Sequence, residues 1–425
     1  MQGRAGFPGI KSAGYSILLI FNLTPSKREN MKYLFCGFLT LLCASAMQMM
    51  FLIYYIQFGD FLSHSAWLVA LPVLYSVSFG FSSYVSGVLS DKYGAARVLV
   101  AGSFLSATAL FALPSCTDSL WFLLVAGVWL AAAQASATYV PLFVLTGQSV
   151  PRQRAGLSYA LMVSAMGGGY IAFVQLWEKL EKTLSWQSAA YFCGLLFCIL
   201  GCFLCYMLRA QLARVADTAM RSRPLKQAFF NTQIVTFIRT RAFLVLASAM
   251  LCTGLILSFH DSLLIHFIRE TEAGNNSYLF VICLGVVEMV SVCLFGVLSK
   301  YISPFFLLGV FFILKLITMT SGFYVPAELN FTIMMIFYAA FLSCIVLSAC
   351  ICFRFPADFS CMGAVFGLLF CIHELGRSAM PVFDYIFDFQ NSIELLVYMV
   401  VVSSAPLLIA LLCFITRLPR ETEPG

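Results

Sequence analysis

The sequence predicts an all-α membrane protein, twelve transmembrane helices in two six-helix halves related by pseudo-symmetry. Three observations lead there. Of 425 residues, 61% are hydrophobic and only 10% charged, with a mean hydropathy of +0.93; globular chains carry about 25% charge. That excess of apolar surface cannot be hidden in one aqueous core, which excludes a water-soluble enzyme. Twelve apolar runs have the ~17–25 residues a bilayer-spanning helix needs. Short sequence landmarks recur about 208 residues apart, half the chain length.

In order, the expected spans are 33–58, 65–86, 97–114, 120–147, 155–176 and 187–208, then 241–267, 277–299, 304–323, 330–352, 361–386 and 392–416. Several are apolar around the whole circumference, as expected of helices surrounded by lipid and other helices. Residues 1–32 form a polar tail whose apolar piece, Tyr15 to Leu23, is too short to span and lacks a clear cleavage site for a signal peptide. It is read as cytoplasmic, with Met31 as an alternative start. Residues 209–240 form a basic linker between bundles 33–208 and 241–416, and 417–425 a second tail.

Lys and Arg orient the spans. With the N-terminus inside, 20 of the 25 basic residues fall on the cytoplasmic side, three (Lys179, Lys182, Arg269) outside, and Lys315 and Arg377 within spans. Both termini are therefore expected in the cytoplasm of a plasma or bacterial inner membrane. The net charge of +6 is topology, not a nucleic-acid footprint. Most of the sixteen Cys lie singly in apolar runs, as at Cys43, Cys193 and Cys344, where a thiol acts as a small hydrophobe. Neither a metal nor another cofactor is expected.

The duplication shows in Gly87-Val88-Leu89-Ser90 and Gly296-Val297-Leu298-Ser299, in Gly156 and Gly363, and in Gly168-Gly169 and Gly376. Between spans 2 and 3 the first copy continues as Asp91-Lys92-Tyr93-Gly94-Ala95-Ala96-Arg97. This loop resembles the Gly-x-Leu-x-Asp-basic-x-Gly-x-x-basic signature of the major facilitator superfamily of secondary transporters. Pro151-Arg152-Gln153-Arg154 and Ser185-Trp186 add weaker support. The second copy departs from the signature, with Lys300 at the place of Asp91, so the same latch is not expected there.

The resemblance implies two bundles rocking about a central site. It makes Asp91 a bridge between the halves when the cytoplasmic side is closed, with Gly87, Lys92, Gly94 and Arg97 around it and Arg154 serving the same gate. Physically, Gly87 permits close helix approach, and a carboxylate before a helix start is favoured by the helix dipole. Solvated loop charges obeying the positive-inside rule would give the same basic residues. Gly167, Gly168 and Gly169 read as packing glycines; without a Pro in that span, the drug-antiporter subgroup of the family is not supported.

Charge within a bilayer is costly, so each intramembrane ionisable group is a functional candidate. The N-terminal spans hold none, and their polar candidates are Gln48, Tyr75 and Gln134, with Tyr54, Tyr139, Tyr159 and Tyr170. The eleventh span holds His373, Glu374, Arg377 and Asp384. His373, Arg377, Met380 and Asp384 share one stripe, and Glu374 can pair with Arg377 at i,i+3. Either Arg377 binds a substrate carboxylate that Glu374 helps orient, or the two form a structural ion pair.

Glu288 and Lys315 each lie eleven residues from the inner ends of their spans, about 16 Å deep. A proton carrier at Glu288 and a structural Glu288–Lys315 pair both fit, since burial favours the neutral acid. Asp261, next to His260 and followed by His266 and Arg269, suits an outer entry site or an exposed helix end.

The expected function is secondary active transport of a small polar solute, an amino acid or small organic acid, taken up with protons by a monomer in the bilayer. Glu288, Glu374 and Asp261 are the coupling candidates, and Arg377, Glu374, His373, Gln48, Tyr75 and Gln134 the solute-binding ones. Organophosphates are disfavoured, because the N-terminal spans offer no cation. Efflux of hydrophobic compounds and a non-transporting receptor of the same fold are the alternatives. A membrane enzyme would need a nucleophile–base pair or metal cluster, which His373 and Glu374 alone do not supply.

Overall fold

In a computed structural model, residues 25–62, 65–213, 228–229, 232–270, 277–321, 342–352, 361–387 and 392–415 are described. Most of them are helical and, among them, no strand occurs. The main helices are α1 (Pro25–Ile53), α2 (Ser65–Tyr93), α3 (Ala95–Ala112), α4 (Ser119–Ser149), α5 (Arg152–Glu181), α6 (Trp186–Met207), α7 (Arg241–Glu270), α8 (Ser277–Leu298), α9 (Pro304–Ser321), α10 (Leu342–Cys352), α11 (Met362–Phe387) and α12 (Ser392–Ile415). Among the described residues, eight are long and apolar enough to cross a membrane, with shorter apolar helices at Pro304–Thr318, Leu342–Cys352 and Val400–Leu411.

Local sequence sets several of the boundaries. The Asp118 carboxylate accepts the Trp121 amide at 2.9 Å and caps α4. Ser185 caps α6 by accepting the Ser188 amide, and Pro304 opens α9, where its missing N–H costs nothing. Gly94 separates α2 from α3: its φ of 92° with ψ 132° is a backbone conformation that favours glycine, and its amide donates to the Ser90 carbonyl at 3.0 Å.

Several helices outrun their expected spans. α2 continues to Tyr93 rather than residue 86, and α5 to Glu181 rather than 176. Hydropathy stops at the edge of the bilayer, but backbone hydrogen bonding does not. The more polar ends Ser86 to Lys92 and Glu178 to Glu181 are helical as well.

Large apolar side chains point outward along the helices, among them Phe81, Ile199, Phe306 and Ile317, as expected where lipid is the solvent. One cysteine pair, Cys202 and Cys205 in α6, has Cys-x-x-Cys spacing, yet among the described residues no metal-holding cluster of His, Cys, Asp and Glu exists. The end of the first half remote from Gly94 is fastened by Trp186, which meets Phe58, Phe61 and Phe122 with ring centroids 5.5–5.6 Å apart. Deeper in, the Trp177 indole donates to the Ala46 carbonyl at 2.8 Å.

The two halves meet along two seams, α2 against α11 and α5 against α8. A Cβ on Gly87 would fall against the Gly363 carbonyl, 2.5 Å from its carbon, and one on Gly367 would strike the Ser83 carbonyl. On the other seam Gly156 sits against Ser299, Gly296 against Ala160, and Gly167 against Gly285, where a Cβ on Gly167 would lie 2.5 Å from the Gly285 carbonyl oxygen. The glycine landmarks of the repeat thus mark equivalent contacts, where a missing side chain lets backbones touch.

Candidate functional site

Helix α11 lies between α2 and α7 and carries the densest group of ionisable side chains. The Arg377 guanidinium Nη1 lies 3.9 Å from Glu374 Oε2, and Glu374 Oε1 lies 3.9 Å from His373 Nε2. Arg377 keeps 26% of its side chain exposed, against 4% for Glu374 and 1% for His373. His373 points at α7, where Nδ1 is 3.1 Å from the Met250 carbonyl, and its ring meets Phe370 edge-on at 5.4 Å. Glycines set these distances: Gly80 of α2 accommodates the Glu374 Cβ, and Gly254 of α7 accommodates the His373 carbonyl and the Arg377 amide. The expected i,i+3 pair is present. The side chains of Met380 and Asp384 on the same stripe lie outside the described residues.

Aromatic and amide groups of the first half face this charge. Tyr75 of α2 and Tyr139 of α4 both lie in the fields of Arg377 and Glu374. Tyr139 also lies in those of Tyr170 and Glu288, and it stacks on Phe370 with centroids 5.0 Å apart. Gln48 accepts the Tyr170 hydroxyl at 3.5 Å. Gln134 is buried, and its Nε2 has no hydrogen-bond partner among the described residues.

Sequence reasoning missed one feature of the site. Helix α4 breaks at Thr138 (φ −122°, ψ −127°), after a π-helical turn at Leu124–Trp129. Pro141 explains the break, because its ring clashes with the carbonyl four residues earlier and it has no N–H to donate. Tyr139 is the first residue after the break. Pro141 in an apolar run was the available signal.

Glu288 and Lys315 form a second buried charged group. Both are almost fully enclosed, and Lys315 lies in the field of Glu288. Glu288 Oε2 accepts the Leu342 amide at the start of α10, at 3.4 Å, while Lys315 Nζ sits 5.3 Å from the Phe311 ring centroid. One helical turn on, the Ser291 and Ser343 hydroxyls join α8 to α10 at 2.8 Å. Asp261, His260, His266 and Arg269 belong to the C-terminal part of α7, where their side chains lie outside the described residues.

The signature loop has a different geometry from its local expectation. Asp91 lies in the last turn of α2 and is not a cap of α3, and it reaches the other half: Oδ1 accepts the Gly363 amide at 2.9 Å and Oδ2 the Ala364 amide at 2.8 Å. Those amides open α11, so the carboxylate caps that helix and meets the positive end of its dipole. Lys92 and Arg97, expected as partners of Asp91, are placed elsewhere. Lys92 Nζ lies 5.4 Å from the Tyr93 ring centroid. Arg97 donates to the Leu212 carbonyl at 3.0 Å, fixing α3 to the short helix Arg209–Ala213. Arg154 is exposed at the start of α5.

Two helical bundles joined along glycine seams, with charged side chains buried beside one seam, define a membrane transporter of the paired-bundle class. Residues 33–381 match the profile of the Major Facilitator Superfamily, and the chain belongs to that family. Its fold is similar to the crystal structure of the E. coli fucose:proton symporter FucP, with a TM-score of 0.67, 15% identity, and coverage of 93% of this chain and 100% of that one. The human organic anion transporter MFSD10 (TETRAN) gives a TM-score of 0.67 at 14% identity, covering 92% and 100%. No curated protein sequence matches the chain.

Proposed function

We propose that this protein is a proton-coupled secondary transporter that takes up a small polar solute, an amino acid or small organic acid, by alternating access. The observation that carries the reading is the Glu374–Arg377 pair with His373 behind it, set in α11 beside the seam with α2. Charge is expensive in a bilayer, and a guanidinium left one-quarter exposed offers a planar site for a carboxylate. Tyr75, Gln48 and Gln134 supply the polar wall from the first half.

A buried carboxyl carries the proton, with Glu374 and Glu288 as its candidates and Asp261 at the outer entry. Asp91, held by the amides of α11, is the gate on the cytoplasmic side. Gly87 and Gly94 allow the close turn there, and Lys92, Arg97 and Arg154 flank it. Both termini lie in the cytoplasm. The similar folds include a proton symporter and an organic anion transporter, which agrees with this reading.

The test is uptake by the purified protein in proteoliposomes against a panel of amino acids, organic acids and sugars, with and without an imposed pH gradient. Accumulation that follows the gradient supports the proposal. No movement of any solute would favour a non-transporting receptor.

A further inference from the structure

We propose that the end of the linker between the halves, Ala228 and Phe229 with the short helix Thr232–Ile238, is a strap that holds the α2–α11 seam shut at its Asp91 end. The seam parts there only when the Tyr84 hydroxyl lets go of the strap. This rests on the alternating-access reading above and adds to Asp91 a second, uncharged latch.

A basic stretch between two bundles could serve as a connector wherever it lay. The start of this one is fixed to the first half: Gln211 Nε2 donates to the Tyr33 hydroxyl of α1 at 2.7 Å, and Arg97 of α3 donates to the Leu212 carbonyl at 3.0 Å. Its end is built into the second half. Ile234 and Phe237, three residues apart on one side of the short helix, are both buried. The Phe237 ring meets Phe243 of α7 edge-on with centroids 5.7 Å apart. The Thr240 hydroxyl accepts the Phe243 amide at 3.2 Å and caps α7. The strap therefore travels with α7.

The first half nonetheless grips it. Tyr84 of α2 lies where the halves touch, since a Cβ on Gly367 of α11 would come within 3.0 Å of the Tyr84 Cα. The Tyr84 hydroxyl donates to the Phe229 carbonyl at 2.6 Å, and the two rings meet edge-on at 5.9 Å. From the other wall of the seam, the Cys361 thiol of α11 donates to Gln233 Oε1 at 3.5 Å, and Tyr84 lies in the field of Cys361. Both helices of the seam thus hold one segment, two residues from the Gly363 amide that Asp91 binds.

Connectivity turns this grip into a latch. If α2 draws away from α11 at this end, the strap stays behind with α7 and Cys361, and the Tyr84–Phe229 hydrogen bond has to break. The bond joins two uncharged groups, so it adds to the Asp91 contact without depending on the same charge.

The test uses the full chain in lipid nanodiscs, where both faces of the protein meet the reagent. Ser83→Cys is isosteric and fully buried, about two turns deeper in the seam than Asp91, and reports parting away from the strap. Cys361 reports from beside the strap. A membrane-impermeant maleimide labels both, resolved by peptide mass spectrometry. Tyr84→Phe keeps the ring and removes one hydrogen bond, so both thiols should label about two- to tenfold faster. Combined with Asp91→Asn, the two factors should multiply. In return, Asp91→Asn should speed tryptic cleavage after Arg239, because a parted seam frees the strap. Phe229→Ala removes the ring contact, should act in the same direction, and decides the matter if Tyr84→Phe fails to fold. Faster labelling of Cys361 alone overturns the inference, for the segment is then a cover and not a latch; unchanged labelling of both thiols overturns it too. If Asp91→Asn also leaves Ser83→Cys unlabelled, that end of the seam does not open and the alternating-access reading falls with the strap.

Discussion

Replacing Asp91 by Asn tests the gate at a single atom. The substitution keeps the side chain's shape, and one amide oxygen can still face Gly363 or Ala364. The other position becomes an NH2 group opposite a backbone N–H, donor against donor, where the carboxylate now accepts at 2.8 or 2.9 Å. One charge-assisted hydrogen bond is worth about 1.5–3 kcal/mol, and the lost charge at a partly buried helix N-terminus adds up to about 2 kcal/mol. A total of about 3 kcal/mol shifts the equilibrium between joined and parted seams roughly 150-fold. Cys361 is a built-in reporter: it lies two residues before Gly363, is fully buried, and its thiol contacts Gln233 Oε1 at 3.5 Å. Its rate of alkylation by a membrane-impermeant maleimide, resolved by peptide mass spectrometry, should rise more than tenfold in Asp91→Asn. A rate within twofold of the parent, in a protein whose helix content is intact, would refute the idea that Asp91 holds the seam.

Three further outcomes are expected. Gly87→Ala places a methyl against the Gly363 backbone, where no flexible side chain can yield, and should raise Cys361 labelling in the same assay without any change of charge. Gly94→Val meets no atom within 4 Å but must hold φ 92° with ψ 132°; a side chain in that sparsely populated region costs about 1–3 kcal/mol, to be read as a lower Tm in detergent, with Gly94→Asn lowered as well because Asn tolerates the left-handed helical region and not this one. Trp186→Ala empties the site between Phe58, Phe61 and Phe122 and should cost about 3–5 kcal/mol, a large Tm decrease that leaves Cys361 labelling of the surviving folded protein unchanged.

The membrane class, the order of the spans and the duplication were legible in the sequence, because lipid imposes a length and a composition on each helix. The Glu374–Arg377 pair was legible too, since i,i+3 is a geometric rule within one helix. Asp91 shows the limit of such rules. Its partners are 272 and 273 residues away, and the local alternative, the start of α3, is the nearer but wrong helix end. His373 likewise looked like a member of an open stripe, yet it is turned to the Met250 carbonyl on α7, a contact only the helix pairing decides. The break at Thr138 was hidden by a hydropathy run that Pro141 interrupts in hydrogen bonding but not in polarity.

The glycine seams also divide the chain by how freely it can vary. At Gly87, Gly363, Gly367, Gly156, Gly167 and Gly296 the obstacle to a side chain is a neighbouring backbone, a hydroxyl or a β-carbon with little room to retreat, so those positions admit almost no gradual change. The residues proposed to meet the solute, by contrast, are side chains facing side chains, where size and polarity can be traded one step at a time. A chain built this way can drift from one solute to another over many generations while its moving parts stay the same, and a saturation mutagenesis map should separate the two sets of positions sharply.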